Sequence, residues 1–135
     1  ERARLTPALN AAIDEGRAIA VADYRDACVQ RERAIAFFTG MLDEFDAVLA
    51  PAAPSPAPRG LETTGDPSCC TLWSFLGFPA LSLPAGSIDG LPVGLQLAAP
   101  QGRDAPLLTA ALWVESRLPA APLPALFGPR EDPAA

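Results

Sequence analysis

The side chains available for chemistry are few in kind: three cysteines, a scatter of hydroxyls, sixteen acids and ten basic residues, every one of them arginine. Histidine and lysine are both missing from the chain. That excludes a Ser-His-Asp or Cys-His arrangement, zinc sites built on imidazole, Ser-Lys catalysis and Schiff-base chemistry. Cys69 and Cys70 stand just after Pro67, at a predicted helix start where exposed N–H groups favour a thiolate. A thiol nucleophile there has no general base to pair with. Cys28, Cys69 and Cys70 are odd in number and lack CxxC spacing, which fits neither a disulfide framework nor a metal site. Buried free thiols are expected, with a strained Cys69–Cys70 disulfide as the alternative. No catalytic residue, no metal and no cofactor is expected from this inventory.

The acids, Asp43 and Glu44 among them, fall on solvated helix faces. Gly60 to Gly65 is too sparse to cradle a phosphate, and Gly86, Gly90 and Gly94 lie in β-type sequence rather than at a helix start. A net charge of -6 repels a phosphate backbone, so nucleic acid is not an expected partner. No apolar run approaches the ~20 residues of a membrane span. The start, Glu1-Arg2-Ala3-Arg4, is no secretory leader. These features predict a soluble, cytoplasmic protein with no membrane partner. Met41 is the only methionine, so a processed or cut piece of something longer is one reading.

The elements that would position these residues follow from periodicity and punctuation. With 135 residues, 50% of them hydrophobic, a single domain is the ceiling. Thr6-Pro7 is a capped helix start, with Leu9 and Ile13 on one face and Gly16 as the stop. Val21, Tyr24, Cys28, Ile35, Phe38, Leu42 and Phe45 form one helical stripe that predicts a long amphipathic helix packed on a sheet or another helix. Ala47 to Ala50, ended by Pro51, predicts a buried strand, and the prolines after it predict an extended loop. Asp66-Pro67 opens a short helix, buried nearly all round, that stops at Gly77. Ala80 to Leu83 and Val93 to Leu97 predict a hairpin with a loop of several residues between them. Gly94 marks either a bulge or a close approach. Asp104 caps a last helix with Leu107, Leu108, Ala111, Leu112 and Leu118 facing inward until Pro119. A Pro- and Ala-rich tail over 119–135 reads as extended or mobile, with Leu123, Leu126 and Phe127 available for docking.

Three stretches carry a resemblance. They are Phe45-Asp46-Ala47-Val48-Leu49-Ala50-Pro51, then Trp73 with Gly77-Phe78-Pro79-Ala80-Leu81-Ser82-Leu83-Pro84-Ala85-Gly86, and then Gly90-Leu91-Pro92-Val93-Gly94-Leu95-Gln96-Leu97. In this order and spacing they resemble the carboxy-terminal third of the amidase signature family, over roughly residues 5 to 118. The helix patterns before the first stretch and after the last are similar to those of the family as well.

The resemblance implies an α/β class: a fragment of the family's α/β/α fold, with a mixed sheet of few strands flanked by helices. It divides the chain into a helical part over 5–45, an α/β part over 46–118 and the tail. It also implies that the nucleophilic serine, the cis-serine and the lysine base belong to sequence upstream. By position, Cys70, Thr71, Trp73 and Ser74 would wall the pocket for a small-molecule amide substrate. Cys70 stands where the family often has Asn, and Ser74 also departs from the pattern. Trp73 and Phe75 read more readily as core than as wall. A few strands with open edges should seek a partner, either the missing amidase portion or another copy. The rival expectations are a non-catalytic helical interaction module and a decayed amidase remnant.

Overall fold

The computed structural model describes residues 2–119, so the expectations for Leu123, Leu126 and Phe127 lie outside the described residues. The chain divides into two compact units, with the boundary between Gly40 and Met41.

In the first unit, helix α1 (Pro7–Ala18) begins as the sequence predicts. The Thr6 hydroxyl accepts the Leu9 N–H at 3.3 Å, and Pro7 has no donor to leave orphaned. Gly16 does not stop the helix. Its φ is not positive, and a glycine ends a helix where it turns left-handed. Helix α2 (Val21–Met41) follows the predicted stripe but ends before Phe45. No residue of α2 is buried, and Val21, Tyr24 and Phe37 are exposed, so much of its apolar surface is open.

The second unit is a three-stranded sheet with one helix on each face. Strands β1 (Val48–Pro51), β2 (Ala80–Ile88) and β3 (Leu91–Ala98) pair antiparallel in the order β1-β3-β2. Leu49, Leu97 and Leu81 stand side by side across the sheet, as do Pro51, Leu95 and Leu83. Because side chains alternate along a strand, these residues share one face, and Ala50, Gln96 and Ser82 share the other. Helix α4 (Asp104–Glu115) covers the leucine face: Leu83, Leu97, Ala99, Leu107 and Ala111 form the core, with Ala110, Val114 and Leu118 against it.

The expected α/β class therefore holds, and several local details differ for identifiable reasons. The hairpin loop is two residues, with Ile88 opposite Leu91. Asp89 and Gly90 both have positive φ (52° and 78°), the tight turn that matches strand twist. The strands run through Pro84 and Pro92, which sequence reading takes as breakers. By the alternation of ladder bonds, even-numbered β2 residues up to Pro84 face away from β3, and even-numbered β3 residues face away from β2. Neither proline is asked for an N–H it lacks. The register shift falls at Ala85, between Pro84 and Gly86, and not at Gly94.

Helix α4 starts at Asp104 with Arg103 in the cap position, so Asp104 complements the helix dipole from the first turn instead of capping it. Leu108 and Leu112 point outward although sequence reading places them inside. A helix that is apolar on every side gives periodicity nothing to choose between. The thiols are free as expected but not buried: Cys28 and Cys70 are exposed and Cys69 is half-buried.

Candidate functional site

Helix α3 (Ser68–Leu76) carries all four residues expected to wall a pocket. Asp66 opens it by accepting the Ser68 N–H at 2.8 Å, while Pro67 occupies the cap position. Gly77 closes it in a left-handed conformation (φ 68°). There the Gly77 N–H reaches the Ser74 carbonyl at 3.2 Å and the Phe78 N–H reaches the Trp73 carbonyl at 3.0 Å. The start and stop predicted from sequence are both present.

At 100° per residue, Cys70, Thr71 and Ser74 fall within one arc of the helix, and Cys69, Trp73 and Leu76 within another. The first three are exposed. Trp73 is 7% exposed and Leu76 is fully buried, and the Trp73 ring stacks on Phe78 with centroids 6.4 Å apart. The structure thus brings three of the four predicted residues onto one open surface and turns the fourth inward. The helix is not buried all round, since Leu72 and Phe75 are exposed as well. Cys70 and Thr71 are turned back along the helix. The Cys70 thiol donates to the Pro67 carbonyl at 3.2 Å and the Thr71 hydroxyl donates to the same oxygen at 2.8 Å.

Two glutamines fix α3 against the sheet, a role that sequence reading does not assign them. Gln96, 7% exposed on β3, donates to the Cys69 carbonyl at 2.9 Å, at the first turn of α3. Gln101 donates to the Leu76 carbonyl at 2.7 Å, at the last turn. The available signal is Gln96 itself, a polar side chain between two leucines in an otherwise apolar strand. Such a residue must find a partner on the face opposite the leucines.

Gly94 lies beside this seam. A Cβ there would stand 2.6 Å from the Ser82 hydroxyl and 3.2 Å from both Ala52 Cβ and the Leu83 carbonyl. The Ala52 N–H donates to the Gly94 carbonyl at 2.9 Å. Of the two readings sequence leaves open at Gly94, close approach is the one observed.

Neither of two open cavities is lined by Cys70, Thr71, Trp73 or Ser74. The larger, about 640 Å³, lies between α4 and β1 among Phe45, Ala47, Leu49, Leu97, Trp113 and Val114. The smaller, about 220 Å³, is formed by the proline-rich loop with Asp66 and Gly94. Among the described residues no cluster of His, Cys, Asp and Glu is placed to hold a metal ion. No helix among them is long and apolar enough to cross a membrane.

The second unit is a three-layer arrangement, with α3 and α4 on the two faces of a sheet whose outer strands β1 and β2 are each paired on one side only among the described residues. The sequence model of the family described as Amidase matches residues 1–108, and the chain belongs to the amidase signature family. It is similar to one of the polypeptides of the glutamyl-tRNA(Gln) amidotransferase of Pseudomonas fluorescens strain SBW25, 42% identical over 55% of this chain and 17% of that protein. The Azotobacter vinelandii counterpart is 41% identical over the same shares. Among solved structures, a crystal structure of an amidase superposes with a TM-score of 0.75 at 34% identity, covering 85% of this chain and 29% of that one. A bacterial aryl acylamidase of the amidase signature enzymes superposes with a TM-score of 0.60 at 28% identity, over 79% of this chain and 25% of that one. The chain thus spans about a sixth of the curated relatives it matches.

Proposed function

We propose that this chain is the carboxy-terminal part of an amidase, supplying scaffold and one wall of the substrate pocket to an active site completed by the rest of the enzyme. The observation that carries this reading is a family match over residues 1–108 in a chain that contains no lysine and no histidine. In the whole enzyme a serine hydroxyl attacks the amide carbon. Its proton passes through the cis-serine to lysine and on to the leaving amine, and water then hydrolyses the acyl-enzyme. Those three residues belong to the upstream portion.

Cys70, Thr71, Trp73 and Ser74 form the wall, with Cys70, Thr71 and Ser74 on its open surface and Trp73 seating the helix that carries them. The protein works in the cytoplasm on a small amide, with no part for nucleic acid. The purified chain, assayed alone against butyramide and benzamide, is expected to release ammonia no faster than buffer. Turnover that persists at constant specific activity through further purification would contradict it, because the chain has neither the lysine nor the histidine that would take up the proton.

A second reading is favoured by the exposed Val21, Tyr24 and Phe37 of α2: a non-catalytic helical module that docks on another protein. The upstream coding sequence separates the two. A Gly- and Ser-rich segment with a lysine in the same frame supports the enzyme, and its absence supports the module or a decayed remnant.

A further inference from the structure

The tip of the β2–β3 hairpin joins a backbone geometry to a dipeptide that can react with itself. Asp89 is the only aspartate or asparagine of the chain that is followed by glycine. Glycine has no Cβ, so the Gly90 nitrogen is the least shielded main-chain nucleophile that an aspartyl carboxyl can meet. The space around it is open, since a Cβ at Gly90 would have nothing within 4 Å. Residues 87–92 are all exposed. In a two-residue turn the ladder closes between Ile88 and Leu91, so the Gly90 N–H is not called on for pairing.

The conformation of Asp89 is the second observation. With φ at 52°, it is the one non-glycine residue of positive φ among the described residues. An L-residue in that region brings its Cβ against the following carbonyl oxygen, a clash that a D-residue does not meet. The twist of β2 and β3 selects this turn and holds Asp89 in it. The hairpin therefore keeps Asp89 in the hand that suits its mirror image.

We propose that Asp89–Gly90 is a site of spontaneous modification, at which Asp89 passes through a succinimide to isoaspartyl and D-aspartyl products. The Gly90 nitrogen gives up its proton and bonds to the side-chain carboxyl carbon of Asp89. One carboxyl oxygen leaves as water, and a five-membered ring closes. Within the ring the Asp89 Cα proton is acidified by the adjacent carbonyl and exchanges with water, so the centre loses its configuration. Water then adds to one of the two ring carbonyls and breaks its bond to nitrogen. Opening at the side-chain carbonyl returns aspartate, and opening at the main-chain carbonyl leaves isoaspartate. One water is lost and one regained, so the net change is an isomerisation that needs no oxidant, metal or enzyme. The fold then biases the products. Isoaspartate puts an extra carbon into a two-residue loop whose twist is fixed by the strands, whereas D-aspartate fits the positive φ. Because each product can close the ring again, the population drifts toward the form that the turn accommodates.

The test incubates the full chain at neutral pH, folded in buffer and, in parallel, unfolded in guanidinium chloride. After proteolysis the peptide containing Asp89 is resolved by liquid chromatography and mass spectrometry against synthetic L-Asp, D-Asp, L-isoAsp and D-isoAsp standards. In the folded chain new isomers are expected at Asp89 and at none of the other aspartates. At equal extent of reaction the ratio of D-Asp to L-Asp is expected to be about fivefold or more higher in the folded chain than in guanidinium chloride. Asp89→Asn keeps a residue suited to the turn and replaces the leaving water with ammonia. It is expected to give the same products sooner, with ammonia released. A folded chain whose Asp89 peptide stays single while the unfolded chain reacts would mean that the closed turn protects the site, and overturns the proposal. So does isomerisation spread evenly over the other aspartates, or a D-Asp share no higher folded than unfolded.

Discussion

At the scale of single residues, Gly94 and Gln96 stand at close contacts on the α3 side of the sheet. Gly94→Ala places a methyl 2.6 Å from the Ser82 hydroxyl and 3.2 Å from a backbone carbonyl. The hydroxyl can rotate away, but the Leu83 carbonyl is held in the strand. The substitution is expected to cost about 1–3 kcal/mol, read as a lower urea midpoint at unchanged slope. Gln96→Ala removes the side-chain bond to the Cys69 carbonyl, which keeps its place in the helix ladder, at an expected cost of about 0.5–1.5 kcal/mol. Its signature is local: amides of α3 should exchange faster than the overall loss of stability explains, which hydrogen exchange by mass spectrometry resolves. Gln96 stands inside a motif plainly legible in sequence, yet its role was not. The acceptor is a carbonyl 27 residues away, and no local pattern encodes that meeting.

At the scale of elements, punctuation was legible and orientation was not. Thr6-Pro7 and Gly77 mark helix ends through their own hydrogen bonds, which depend on residues a few positions away. Thr6→Ala should lower the stability of α1 by about 1 kcal/mol, visible as reduced helicity at 222 nm on mild heating. The inner face of α4 had to wait for the sheet. Leu107 is 3% exposed and Leu112 67%, although both sit in the same apolar run. Leu107→Ala should therefore cost about 2–5 kcal/mol, whereas Leu112→Glu should change stability by no more than about 0.5 kcal/mol. Chemical unfolding of the two variants side by side checks the assignment, and equal losses would mean that α4 is rotated from the face described. Pro84 and Pro92 teach the same lesson in strands. A proline breaks a strand only where the ladder asks for its N–H, and which side asks is fixed by the neighbour.

At the scale of the whole molecule, the sheet is closed by layers and open along its edges. α4 and α3 cover its two faces, while β1 and β2 have a partner on one side only among the described residues. Exposed Leu108, Leu112 and Trp113 on α4 and exposed Val21, Tyr24 and Phe37 on α2 add apolar surface that water covers poorly. The isolated chain is expected to bind the dye ANS with strong fluorescence enhancement at neutral pH while keeping native near-ultraviolet dichroism, a combination that separates open native surface from a loosened core. Enhancement that disappears when the complementary amidase portion is added would identify that surface as interface.

The sequence by itself determined which side chains this chain lacks and to which family it belongs. A missing lysine and a missing histidine are facts of composition, and ordered motifs such as Gly-Phe-Pro-Ala and Leu-Pro-Val-Gly-Leu-Gln-Leu are local patterns. The tertiary structure alone decided which side of α4 is core, why two prolines sit inside strands, how Gln96 and Gln101 seat α3, and where the sheet stands open. Each of these depends on which strand lies beside which, and that pairing joins residues too far apart in the chain for any local rule to anticipate.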